Sequence, residues 1–139
     1  MAEKQFAGKW KLAHSDEKFE EYLKALGVNF ALRKVATKLT PVMTIAVSEE
    51  GQWQINTVTT FKNTEEKFKL NEQNKTTTPD GREMMVTWSM DGEKLIETQK
   101  KLKDGDKDNV VTRWIEGNDM KCHCVCGDIV CNRVYTKQE

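Results

Sequence analysis

The chain has no excess of charge of either sign: Lys+Arg and Asp+Glu are both 22 over 139 residues. No polybasic field is available to draw it to DNA, RNA or an anionic membrane, so nucleic acid is not an expected partner. Long apolar runs are also missing. None approaches the roughly 20 residues that a bilayer span requires, and Met1-Ala2-Glu3-Lys4-Gln5 opens polar, without an apolar signal segment. The expectation is a cytoplasmic protein. Histidine is scarce, with His14 and His123 alone, no serine lies in a GxSxG context, and no motif positions a carboxylate pair. A non-enzymatic protein without metal or cofactor is expected, and a hydrolase built on Cys131 and His14 is the one catalytic arrangement left open. The four cysteines include no CxxC pair and, in a reducing compartment, should be thiols.

What is present is punctuation. Phe19, Tyr22, Leu23 and Leu26 fall at i, i+3, i+4 and i+7, the stripe of a short amphipathic helix. Ser15 or Asp16 can cap its start, and Gly27 can end it. Asn29 offers a second N-cap, and Leu32, Val35, Ala36 and Leu39 give a second stripe before Thr40-Pro41 stops it. After Pro41 come strand-like segments: MTIAV, QWQINTVTTF, EKFKLN, REMMVTWSM, KLIETQKKL, NVVTRWIE, MKCHCVC and IVCNRVY. They are divided at Glu50-Gly51, Asn63-Thr64, Pro79-Asp80-Gly81, Asp91-Gly92, Asp104-Gly105, Gly117-Asn118 and Gly127-Asp128, residues suited to tight hairpins. With the strand around Trp10, roughly ten strands emerge. Length favours one domain spanning residues 1–139. QINTVTTF, EKFKLN and LIETQKK are polar on both faces, which favours a barrel around a partly hydrated space over a dry sandwich.

Several motifs in fixed order resemble one family. They are Gly8-x-Trp10, Asn29-Phe30-Ala31-Leu32-Arg33-Lys34, Thr59-Thr60-Phe61-Lys62-Asn63-Thr64-Glu65, Phe68-Lys69-Leu70, Asp80-Gly81-Arg82 and Val130-Cys131-Asn132-Arg133-Val134-Tyr135. Together they resemble the intracellular lipid-binding proteins, which include the fatty-acid-binding and cellular retinoic-acid-binding proteins. The resemblance implies an all-β fold, a ten-stranded antiparallel up-and-down barrel (a β-clam) capped by a helix-turn-helix lid. It also implies a water-filled cavity that binds and carries a hydrophobic carboxylic acid. Long-chain fatty acid is the first expectation and retinoic acid the alternative, on a monomer in the cytoplasm that also enters the nucleus in some relatives.

By the same resemblance, Arg113, Arg133 and Tyr135 would bind the carboxylate. Phe19, Val28, Ala36, Phe61 and Asp80 would line the cavity and its portal. Lys24, Arg33 and Lys34 match lid positions that relatives use for transient membrane contact or nuclear entry. Alternation agrees to the extent that Arg133 and Tyr135, at i and i+2, share a face. It does not say which face is inside, because Ile129, Cys131, Arg133, Tyr135 and Val130, Asn132, Val134, Thr136 are equally mixed. Interior arginines cannot shed their charge and must meet water or an anion. In the empty protein, ordered water is expected to hydrate both.

Cys122-His123-Cys124-Val125-Cys126, with Cys131, suggests a different class, a metal- or redox-responsive cysteine protein. Alternation puts the three cysteines on one face of a strand and His123 on the other, which opposes a metal site. A two-residue turn at Gly127-Asp128 would place Cys124 directly opposite Cys131, a pair able to oxidise to a disulfide.

Overall fold

A computed structural model describes residues 2–138. A 3-10 turn, Ala2–Phe6, precedes strand β1, Gly8–Ser15. Helices α1, Phe19–Leu26, and α2, Phe30–Ala36, follow. Nine more strands complete the chain: β2 Val42–Val47, β3 Gln52–Val58, β4 Asn63–Lys69, β5 Gln73–Thr77, β6 Glu83–Asp91, β7 Lys94–Lys101, β8 Asn109–Glu116, β9 Asp119–Cys126 and β10 Ile129–Gln138. All ten form one antiparallel sheet in the order β4-β3-β2-β1-β10-β9-β8-β7-β6-β5. The first and last strands pair, so the meander curls into a barrel that is closed everywhere except between β4 and β5.

Local chemistry explains the helical pair. Gly27 takes φ 98° and its N–H donates to the carbonyls of Leu23 and Lys24, ending α1 in the left-handed conformation that glycine tolerates best. The Asn29 side chain accepts from Leu32 N at 3.0 Å and starts α2. Asp16 does not cap α1 as an N-cap residue. That position is Lys18, and Asp16, two residues before it, accepts from the Lys18 N–H instead. Helix α2 also ends sooner than its stripe predicts: Thr37 is its C-cap, and Leu39 lies beyond it. None of its residues is buried. Its apolar side covers an open cavity mouth instead of a packed core.

Two further expectations are corrected. Asn63-Thr64 opens β4 and is not a turn; the chain reverses at 59–62, where Thr59 Oγ1 accepts from the N–H groups of Phe61 and Lys62. Strand β5, QNKTT, was not among the expected segments. It is almost wholly exposed and pairs only with β6, so it carries no apolar alternation from which to be read. By contrast, the Gly127-Asp128 hairpin has the expected register, pairing Cys126 with Ile129, Val125 with Val130 and Cys124 with Cys131.

At the end of the barrel remote from α2, aromatic rings form a plug. Phe6 meets Trp53, Trp53 stacks on Phe68 at 5.6 Å, and Phe68 stacks on Trp88 at 4.2 Å. The Trp10 indole donates to the Phe6 carbonyl at 2.9 Å, tying the 3-10 turn to β1. These stacked rings fill that end of the barrel, and the space lies between them and the helices.

Candidate functional site

Between the helices and the plug lies a cavity of about 340 Å³, within the range of small-molecule sites. Ladder register organises its charged wall. Cys122 on β9 pairs with Arg113 of β8 on one side and Arg133 of β10 on the other, so the two arginines occupy one lateral row, two strands apart. Strand spacing puts their backbones about 10 Å from each other. Tyr135 follows Arg133 on the same face. Arg113, Arg133 and Tyr135 all line the cavity, as do Phe19, Val28, Ala36, Phe61 and Asp80.

The two arginines differ. Arg113 is buried, with its guanidinium over the Trp88 ring, and its Nη1 donates to Glu97 Oε1 at 3.0 Å. Glu97, on β7, also accepts from Gln99 Nε2 at 2.6 Å. The charge of Arg113 is therefore met by a protein carboxylate, not by water alone as the sequence reading expects. Its Nε has no partner among the described residues. Arg133, unlike Arg113, has no ion pair among the described residues: its Nε donates to Ser15 Oγ at 3.2 Å, and its guanidinium sits 3.9 Å from the Phe19 ring centre. Phe19 is thus both a lid residue and the cover over Arg133. Burial holds the Tyr135 hydroxyl above its ordinary pKa despite Arg133 beside it, so it remains a donor.

The lid is pinned from below. Asn109 Nδ2 on β8 donates to the Tyr22 hydroxyl of α1 at 2.8 Å in a buried contact. Opposite, the cavity is bordered by the 59–62 turn and the 78–82 turn, joined where Lys62 Nζ donates to the Pro79 carbonyl. Asp80 accepts from Thr78 Oγ1 and from Nε and Nη2 of Arg82, so it braces the rim. Phe61 is half exposed and Phe30 more so. Of the lid cations, Arg33 and Lys34 both reach Glu20, which reduces the free positive charge on that face.

Two cavity carboxylates, Glu66 on β4 and Glu97 on β7, were not singled out from the sequence. The available signal was the two-faced polarity of EKFKLN and LIETQKK. Cys122, Cys124, Cys126 and Cys131 are all buried free thiols, with the sulfurs of Cys122 and Cys124 3.8 Å apart. The Cys124 thiol beside it, helped by Arg113 and Arg133, lowers the pKa of Cys122 against the effect of burial. His123 turns outward to Asn132, and no group of three or more metal-ligating side chains occurs among the described residues. His14 is exposed while Cys131 is fully buried, so these two do not form a catalytic pair.

A profile of the lipocalin / cytosolic fatty-acid binding protein family matches residues 7–138. Fatty acid-binding protein homolog 6 of Caenorhabditis elegans is 42% identical over 134 residues, covering 96% of this chain and 98% of its own. The ligand-free crystal structure of lipid binding protein 8 from the same animal superposes with a TM-score of 0.92 at 34% identity, covering 97% of this chain and 96% of its own. A Schistosoma mansoni fatty acid binding protein in complex with arachidonic acid gives 0.92 at 31% identity, covering 100% of both chains.

Proposed function

Because the chain belongs to the lipocalin / cytosolic fatty-acid binding protein family, we propose that it binds and carries a long-chain fatty acid, non-covalently and without transforming it. The observation that carries this reading is Arg133. It is a cation with no ion-pair partner among the described residues, it lines the cavity beside the Tyr135 hydroxyl, and its guanidinium is shielded by Phe19. A carboxylate there gains fork-shaped donors and a phenol, a charge-assisted arrangement that an alcohol or ester cannot match. Arg113, already paired with Glu97, adds its field and its unpartnered Nε. The acyl tail supplies most of the affinity, at most about 0.8 kcal/mol per buried methylene before ordering costs.

Entry runs between α2 and the 59–62 turn, where Phe30 and Phe61 present exposed rings. The Arg33 and Lys34 side chains over Phe30 suit a brief contact with a membrane surface during transfer. The compartment consistent with this role and with the reduced thiols is the cytoplasm.

The test is a titration of Arg133→Gln with oleate and methyl oleate. Oleate binding should weaken tenfold or more, on the order of 1.5–3 kcal/mol for a charge-assisted contact, while methyl oleate hardly changes. Equal losses would mean that the substitution damages the barrel and not a head-group site. Retinoic acid in the same titration decides between the two acid classes, since tighter binding than oleate would replace fatty acid with retinoid as the cargo.

A further inference from the structure

The cavity holds one charged group that the reading above leaves without a task. Glu66 stands on β4, which β3, β2 and β1 separate from β10 in the sheet order. It therefore lies on the wall across from Arg133, lining the same cavity. Glu97 has both oxygens engaged, one by Arg113 and one by Gln99. Glu66 has neither a hydrogen bond nor an ion pair among the described residues. Glu66 is half-buried on the cavity wall, so water reaches it in the empty protein, and an apolar chain laid over it would strip that water without supplying a donor, which is costly. The charged groups that face it are Glu97 and Arg113. Asp80 and Arg82 at the rim are paired with each other, and Arg133 is on the far wall. Burial and then Glu97 push the Glu66 carboxyl up to about 7, against a smaller pull from Arg113.

Resting on the fatty-acid reading, we propose that Glu66 is a second ligand-binding point in the cavity, one that accepts a hydrogen bond from a hydroxyl carried along the chain of a hydroxylated fatty acid. A chain anchored at Arg133 that fills this space must run past the opposite wall. A plain methylene chain laid against Glu66 either forces the carboxyl to take up a proton or strands a desolvated carboxylate. A hydroxyl removes that conflict, because an ionised carboxylate only accepts hydrogen bonds and a hydroxyl donates one. An amine suits the place less well, since the guanidinium of Arg113 is near enough to act on the same carboxyl. Room for a polar substituent exists beside it. The unpaired gap between β4 and β5 opens a polar cleft of about 460 Å³, lined by Thr64, Thr76 and Gln99 together with Glu66 itself.

Two ligands should then respond oppositely to pH. Stearate binding takes up a proton at Glu66, so its Kd rises with pH, by up to about tenfold per unit above the titration of the free protein. A hydroxystearate whose hydroxyl reaches Glu66 favours the ionised form, and its Kd stays level or falls. The experiment is calorimetric titration of the whole protein at pH 6 and pH 8 with stearate and with a positional series of monohydroxystearates. At pH 8 the best member should bind about tenfold or more tighter than stearate. That preference should vanish in Glu66→Leu and shrink in Glu66→Gln. Glu66→Gln keeps an acceptor without the charge, so it also serves if the leucine variant does not fold. The proposal is overturned if no member exceeds stearate at pH 8, if the preference survives in Glu66→Leu, or if it is undiminished in Glu66→Gln. Stearate binding in the same cells separates the two failures: stearate bound without a hydroxyl preference sinks the Glu66 site alone, and no acid bound at all sinks the fatty-acid reading with it.

Discussion

Glu97→Leu should expose what the Arg113 ion pair contributes. Both side chains are buried, 10% and 6% exposed, and their contact is 3.0 Å. Replacing Glu97 leaves a guanidinium whose Nε is already unpartnered without its ion-pair partner. Removing one member of a buried pair costs about 3–5 kcal/mol, and the low end applies because the pair borders a cavity that admits water. For 139 residues, a loss of about 3 kcal/mol corresponds to a fall in Tm of roughly 10 °C. The assay is thermal unfolding by circular dichroism, with and without oleate. Oleate should restore more stability to Glu97→Leu than to the parent, because its carboxylate supplies the anion that Arg113 has lost. The double variant Glu97→Leu/Arg113→Leu should recover most of the loss in the ligand-free protein, since a buried pair replaced by apolar groups is often near neutral. A single variant within about 1 kcal/mol of the parent, or a double variant no better than the single one, would refute the argument that Glu97 balances Arg113.

Tyr22→Phe removes the acceptor for Asn109 Nδ2 and should cost about 1–3 kcal/mol while speeding oleate release in stopped-flow displacement; an unchanged release rate would show that the lid is held elsewhere. Burial pushes the Asp80 carboxyl up, but its bonds to Arg82 and Thr78 and the Arg82 charge outweigh burial and hold it below the ordinary value. A depressed folded pKa gives stability that is present above the unfolded value near 3.9 and is lost as pH falls through the folded one. The 78–82 rim should therefore loosen only at acid pH, seen as faster hydrogen exchange at the Arg82 amide, and Asp80→Asn should abolish that acid dependence. The register pairing Cys124 with Cys131 predicts that mild oxidation links these two and removes a pair of hydrogens; peptide mapping that finds four free thiols, or a Cys122–Cys124 link in its place, contradicts it.

Turn chemistry and alternation were local, and local information was enough for most of the barrel. Gly27, Asn29 and Gly127-Asp128 set helix ends and a hairpin register by backbone preferences that need no distant partner. Strand β5 escaped because its five residues, QNKTT, bury almost nothing and so carry no pattern. The early end of α2 escaped for a related reason: its apolar side faces a cavity, and an apolar stripe does not tell a packed core from an empty one. Met43 and Met84 turned inward to burial, whereas Met85 points away, an outcome that strand register decided.

Arg133 and Tyr135 share a face by the two-residue period alone, and resemblance in sequence was what pointed that face inward. Everything that distinguishes the two arginines came from tertiary structure. Arg113, Cys122 and Arg133 align because three strands pair in one register, and Glu97 meets Arg113 because β7 and β8 are neighbours. Glu66 faces them only because the sheet curls round and brings β4 to the opposite wall. Charge balance inside a cavity depends on distances across that space, and a linear sequence fixes periodicity along each strand but not what stands opposite it.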